Sequence, residues 1–206
     1  MPPRLCPLLL TVFLLLLGGT VAAMLAGVRP PDAIVPVAAV AGFLFAVAHA
    51  GRRLGWKPAG VLLALVFVVS LAFETVGAGT GWVYGPYHYS DRLGPMFLGL
   101  VPWLIPASWF MMMYPALLVA ERLLPAGWQG TRRAAGLAAL AGLVMTAWDV
   151  VLDPLMVRAG FWSWEVAGPF FGVPLRNYAG WWVTSTTAFA LFLAVFRRLP
   201  QRTEPR

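Results

Sequence analysis

Six apolar runs, at about residues 7–27, 33–50, 58–77, 96–120, 134–152 and 177–196, constrain this chain more than any other feature. A helix needs roughly 20 mostly apolar residues to cross about 30 Å of hydrocarbon at 1.5 Å per residue. The expected fold class is therefore all-α, a polytopic integral membrane bundle of about six transmembrane helices. The second and fifth runs are short, so their ends are loosely defined. Composition points the same way. Residues are 60% hydrophobic and 11% charged, whereas soluble domains carry about 25% charge. With charges this sparse, residues 1–206 read as one transmembrane domain. The first run also has the outline of a signal peptide, with Arg4 before a leucine-rich stretch and Val21-Ala22-Ala23 as a small-residue site.

The net charge of +7 would suggest nucleic acid in a soluble protein. Here the basic residues fall between the apolar runs, where they anchor topology instead. With six spans, Arg4, Arg52, Arg53, Lys57, Arg122, Arg132, Arg133, Arg197, Arg198, Arg202 and Arg206 share one side. Arg29, Arg92, Arg158 and Arg176 share the other. Eleven against four predicts cytoplasmic N- and C-termini in a multi-pass cell-membrane protein. The tail RRLPQRTEPR reads as a short basic segment suited to anionic lipid.

The connections differ in character. GRRLGWKP and ERLLPAGWQGTRR are short and plain, while the third-to-fourth and fifth-to-sixth connections are rich in Gly, Pro and aromatics. Such loops are where function concentrates. They also resemble each other. Glu74 precedes Gly81-Trp82-Val83-Tyr84 and GPMFLGLVP; Asp149 and Asp153 precede Gly160-Phe161-Trp162-Ser163-Trp164 and GPFFGVP. This pattern predicts an internal repeat, 58–120 and 131–197, with a site between the two parallel units.

Glu74, Asp149 and Asp153 are the candidate catalytic residues. An unpaired carboxylate in hydrocarbon costs roughly 2.5–3.5 kcal/mol on insertion scales, so each must face an interior, water, a partner or the interface. Asp149 and Asp153 are spaced i, i+4 and share a helix face. Two crowded carboxyls cannot both stay ionised, which leaves a neutral acid beside a carboxylate, the pairing that general acid–base chemistry uses. Pairing with Arg158 or Arg176 is the structural alternative. Asp153, just before Pro154, is expected at a helix end.

Trp82, Tyr84, Tyr87, Tyr89, Trp162, Trp164, Trp181 and Trp182 all map to the outer third of the bundle. They suit either an interfacial belt or a pocket lining that stabilises a cation by about 0.5–2 kcal/mol per ring. Trp82, Tyr84, Tyr87, Trp162, Trp164, Trp181 and Asn177 are the candidate substrate-binding residues. Asn177 either caps the sixth helix or holds a water. His88 and His49 read as interfacial. Cys6 stands alone, which excludes an internal disulfide and a cysteine-based zinc cluster. No nucleotide, flavin or GxSxG motif is present. The Asp-x-x-x-Asp pair has too few companions for a magnesium diphosphate site, so no metal is assigned.

The order FETVGAGTGWVYGPYHY, VPWLIPASWFMMMYP, WDVVLDPLMVRAGFWSW, FFGVPLRNYAGWW, over about residues 60 to 197, resembles the membrane-bound carotenoid biosynthesis family of the carotenoid 1,2-hydratase type, which takes in γ-carotene and bisanhydrobacterioruberin hydratases. The resemblance implies cofactor-free addition of water to the terminal ψ-end C1=C2 double bond of an acyclic carotenoid, giving a tertiary alcohol. It implies an acyclic carotenoid, the lipid bilayer and other carotenoid biosynthesis enzymes as partners, and no nucleic acid. It supplies no catalytic residues, so the three acids rest on the residue reading. A membrane carrier or scaffold for carotenoid enzymes, and a proton-driven carotenoid cyclase, are the alternatives.

Overall fold

The computed structural model describes residues 4–28, 31–196 and 199, with the Met24 side chain outside that set. Arg29, Arg197, Arg198, Arg202 and Arg206, and so most of the basic tail, lie outside the described residues. Six helices follow in order: α1 (Leu5–Leu25), α2 (Ile34–Leu54), α3 (Trp56–Thr80), α4 (Leu104–Leu123), α5 (Gly130–Arg158) and α6 (Leu175–Phe196). All six are long and apolar enough to cross a membrane. Helix is the local solution there because hydrocarbon offers backbone N–H and C=O groups no partner outside the segment. The chain is thus a polytopic membrane helix bundle.

Two boundaries differ from the sequence expectation. The fourth run, expected to be apolar helix from 96, begins as an antiparallel hairpin, β2 (Met96–Phe97) with β3 (Val101–Pro102), and turns helical only at Leu104. The fifth does not stop near 152: α5 runs through Pro154 to Arg158. Proline removes one backbone donor from a helix, and membrane helices tolerate this because neighbouring groups take up the freed carbonyl. Asp153 therefore sits inside a helix, one turn beyond Asp149, rather than at its end.

α3, α4, α5 and α6 form a closed ring, each packing on the next and α6 returning to α3. α2 packs against both α3 and α4, and α1 packs on α2. Consecutive helices reverse direction, so residues 26–28 and 31–33 and the connections 81–103 and 159–174 gather at one end of the bundle. Arg4, Arg52, Arg53, Lys57, Arg122, Arg132 and Arg133 lie toward the other.

At the loop end, β1 (Tyr87–Tyr89) pairs antiparallel with β4 (Trp162–Trp164), tying the two long connections together. The register sets Tyr87 opposite Trp164, His88 opposite Ser163 and Tyr89 opposite Trp162. Alternate strand residues face opposite sides. The four large aromatics therefore share one face, and His88 and Ser163 share the other, 3.1 Å apart. Both connections then fold back through a turn with two consecutive positive-φ residues: Leu98 and Gly99 in one, Phe171 and Gly172 in the other. Arg92 braces this end. It lies 4.3 Å over the Phe161 ring, donates to the Ala159 carbonyl and pairs with Asp32.

Candidate active site

α3 delivers Glu74 from its last two turns, where the helix is capped by Gly81 in the left-handed conformation (φ 70°). α5 delivers Asp149 and Asp153, and α6 delivers Asn177 from its first turn. All four are buried: Glu74 is 3% exposed, Asp149 0%, Asp153 2% and Asn177 2%. Buried polar groups of this kind are tolerated only when hydrogen-bonded, and the partners are specific.

Glu74 accepts three donors. Tyr87 and Tyr89 donate their hydroxyls to Oε2, the latter at 2.8 Å, and Trp109 donates Nε1–H to Oε1 at 2.8 Å. Three donors and no acceptor is the pattern that satisfies an ionised carboxylate, which only accepts. The two aspartates are arranged differently. Asn177 Nδ2 donates to Oδ2 of Asp149, at 2.8 Å, and to Oδ2 of Asp153, so a single amide nitrogen holds both carboxyls. Trp162 Nε1–H donates to Asp153 Oδ1 at 3.1 Å. Asp149 Oδ1 is buried with no partner among the described residues. No arginine pairs with any of the three acids among the described residues; Arg92 and Arg133 engage Asp32 and Glu121 instead. The expected alternative of Arg158 or Arg176 as counter-ion is thereby replaced by neutral donors.

Glu74, Asp153 and Asn177 open on one cavity of about 140 Å³. Tyr84, Tyr87, Tyr89, Trp109, Trp162, Trp164 and Trp181 form its aromatic wall. Asp149 stands behind Asp153, outside the lining. Trp109 and Trp181 stack at 4.4 Å between ring centroids, joining α4 to α6 along the cavity wall. The tyrosine hydroxyls act as neutral donors: burial, and then the neighbouring Glu74 charge, push the Tyr84 and Tyr87 phenols well above their ordinary range. Tyr84 spends its own hydroxyl on Thr184 Oγ1, 2.9 Å away, and its ring fits between Gly77 of α3 and Gly180 of α6.

Of the expected substrate-binding residues, Tyr84, Tyr87, Trp162, Trp164, Asn177 and Trp181 line the cavity. Trp82 does not. It follows the left-handed turn at Gly81 and points outward, 73% exposed, while Tyr84 two residues on turns inward. Asn177 lies inside α6 rather than capping it, and its side chain clamps the two aspartates. Sequence reasoning missed Trp109. A tryptophan within an apolar span brings an N–H that needs an acceptor, and that was the available signal.

Residues 33–206 match the family model described as carotenoid biosynthesis protein. Over 138 residues, 66% of this chain, the sequence is 39% identical to a bisanhydrobacterioruberin hydratase of Haloarcula japonica. That stretch spans 45% of the relative's own length, so the chain corresponds to less than half of it. No solved structure matches the chain. A family match that takes in five of the six helices and every side chain of the buried acid cluster places the chain in the carotenoid biosynthesis protein family.

Proposed function

We propose that the protein is a carotenoid hydratase, adding water without a cofactor to the terminal ψ-end C1=C2 double bond of an acyclic carotenoid. One observation carries this reading: Glu74 and Asp153 open together on a single apolar, aromatic-walled cavity within a membrane bundle. A hydrocarbon substrate end would meet proton-bearing groups there.

The chemistry requires a proton on C-2, a tertiary cation at C-1, addition of water to C-1 and return of a proton to the protein. An alkene is a very weak base, so the acid must be neutral and in contact with it. Asp149 and Asp153 share Asn177 and have no counter-ion among the described residues, and crowded buried carboxyls hold a proton between them. Asp153 faces the cavity and delivers that proton; Asp149 behind it shares the charge that results. Glu74, fixed as an anion by three donors, faces the developing cation and stabilises it electrostatically. The rings of Trp109, Trp162, Trp164 and Trp181 shield the cation and present their faces to it. Water adding to C-1 gives its proton back to the aspartate pair, which restores the starting state.

The loop end is assigned to the outer face, with cytoplasmic termini, from the excess of basic residues at the opposite end. The lipid bilayer delivers the substrate, and other carotenoid enzymes are the expected neighbours.

The test is pigment analysis of a lycopene- or γ-carotene-producing host expressing this chain alone. A hydratase yields pigment heavier by one water. A cyclase yields pigment of unchanged mass and new retention time. A carrier or scaffold leaves the pigment unchanged.

A further inference from the structure

The cavity does not end at the acids. Past Ser108 it continues as an apolar arm between the α1–α2 hairpin and α4, lined by Phe13, Leu17, Val35, Ala38, Met111 and Met112. Phe13, Leu17 and Thr20 lie at i, i+4 and i+7 of α1, so they share one face. They cover about 10 Å of the helix axis. The arm therefore runs from the loop end toward the middle of the bundle. Small residues on the α2 side, Ala38 and Ala39, make room for it, while Gly42, outside the lining, is packed so closely that an added Cβ would meet the Phe13 ring at 2.9 Å and the Met111 sulfur.

α1 is the one helix ahead of the family match, which begins at residue 33. It nevertheless supplies one wall of the cavity that holds the acids. We infer that the Phe13–Leu17–Thr20 face of α1 is a specificity determinant, gripping the polyene beside the reacting double bond and so selecting among carotenoid ends. The inference rests on the hydratase reading for its substrate. The occupant follows from continuity: a chain whose tip reaches Asp153 has its next segment in this arm, where every wall is apolar apart from Ser108 and Thr20. Thr20 donates its hydroxyl to the Leu16 carbonyl at 2.7 Å, so it offers the substrate little polarity. Leu17 is half-buried midway along the arm, and Met111 and Phe13 are flexible enough at the floor to yield to a longer segment.

The experiment compares wild type, Leu17→Trp and Leu17→Ala in detergent, with two substrates: lycopene, and a short acyclic terpene carrying the same terminal double bond. Leu17→Trp fills the arm without touching the acid cluster. It is expected to lower kcat/KM for lycopene by about tenfold or more, while the short terpene, which ends before Leu17, is turned over as by wild type. Leu17→Ala removes part of that wall and is expected to raise the KM for lycopene several-fold more than that for the short terpene. Pigment retained on purification supplies a readout independent of turnover: wild type retains lycopene and Leu17→Trp loses it. Unchanged lycopene turnover and retention in Leu17→Trp overturns the inference, as does equal loss of both substrates. Wild type that retains lycopene yet hydrates neither substrate refutes the hydratase reading, and loss of retention in Leu17→Trp then still supports the arm as the polyene site.

Discussion

Trp109 on α4 donates its indole N–H to Glu74 Oε1 on α3 at 2.8 Å, and both side chains are buried. The same indole stacks on Trp181 of α6. One side chain thus holds the Glu74 carboxyl and forms part of the cavity wall. Trp109→Phe keeps an aromatic ring and removes the donor. A hydrogen bond to a charged group contributes about 1.5–3 kcal/mol, so hydration is expected to fall about ten- to a hundredfold while membrane expression persists. Quantified product pigment against immunodetected protein checks this. An unchanged product-to-protein ratio refutes a role for the indole N–H.

The acids themselves divide by position. Asp153→Asn removes the carboxyl that faces the cavity and is expected to cut product by at least about a hundredfold, the scale of general acid catalysis. Glu74→Gln keeps the size but not the charge, and places an NH2 group among three donors, so both activity and stability should drop. Asp149→Asn leaves Asp153 in place without its partner, so product should fall less than in Asp153→Asn. If all three variants hydrate normally, the assigned mechanism is wrong.

Tyr84 is a test of packing. A Cβ built at Gly180 would lie 2.5 Å from the Tyr84 ring and 2.7 Å from the Val83 carbonyl oxygen. The backbone atom cannot swing away as a side chain can. Gly180→Ala is expected to destabilise the protein by about 1–3 kcal/mol, the usual cost of overpacking, and to lower activity by shifting the β1–β4 connection. Gly60→Ala, at a site with open space around it, is the matched control and should be neutral. Thermal unfolding in detergent separates the two.

Much of this was readable from sequence because membrane helices announce themselves by run length. The six spans, the three acids and most of the aromatic wall follow from apolar runs broken by carboxyls, and the family resemblance from the ordered loop motifs. Four things were not readable. α5 continuing through Pro154 depends on neighbours that donate to the freed carbonyl. The 96–103 hairpin is as apolar as a helix, so hydropathy alone cannot separate them. Trp82 and Tyr84 look equivalent in a Gly-aromatic motif, and only the left-handed turn at Gly81 decides which one enters the cavity. The role of Asn177 likewise needed α5 and α6 side by side.

The proposed orientation has a direct check. Cys6 is the chain's single cysteine and is buried. In a Cys6→Ser background, His88→Cys places a thiol on the exposed face of β1, away from the aromatic wall, and Arg132→Cys places one at the opposite end. With the loop end outward, a membrane-impermeant thiol reagent should label His88→Cys in intact cells and Arg132→Cys only after lysis. The reverse pattern overturns the assignment.

Alkaline unfolding probes the tyrosine donors. Burial raises the Tyr84 and Tyr87 phenols in the folded state, with the Glu74 charge as the next cause. In the unfolded chain a phenol ionises near about 10. Above that pH the unfolded state binds fewer protons than the folded one, so stability falls as pH rises. Their contribution is fully present below about pH 10 and is lost through the interval up to the raised folded value. Unfolding temperatures between about pH 9 and 12 should therefore decline more steeply for wild type than for Tyr84→Phe or Tyr87→Phe, each of which removes one titrating group. Parallel declines in all three proteins mean that these phenols ionise as readily folded as unfolded, and the neutral-donor account of Glu74 then fails.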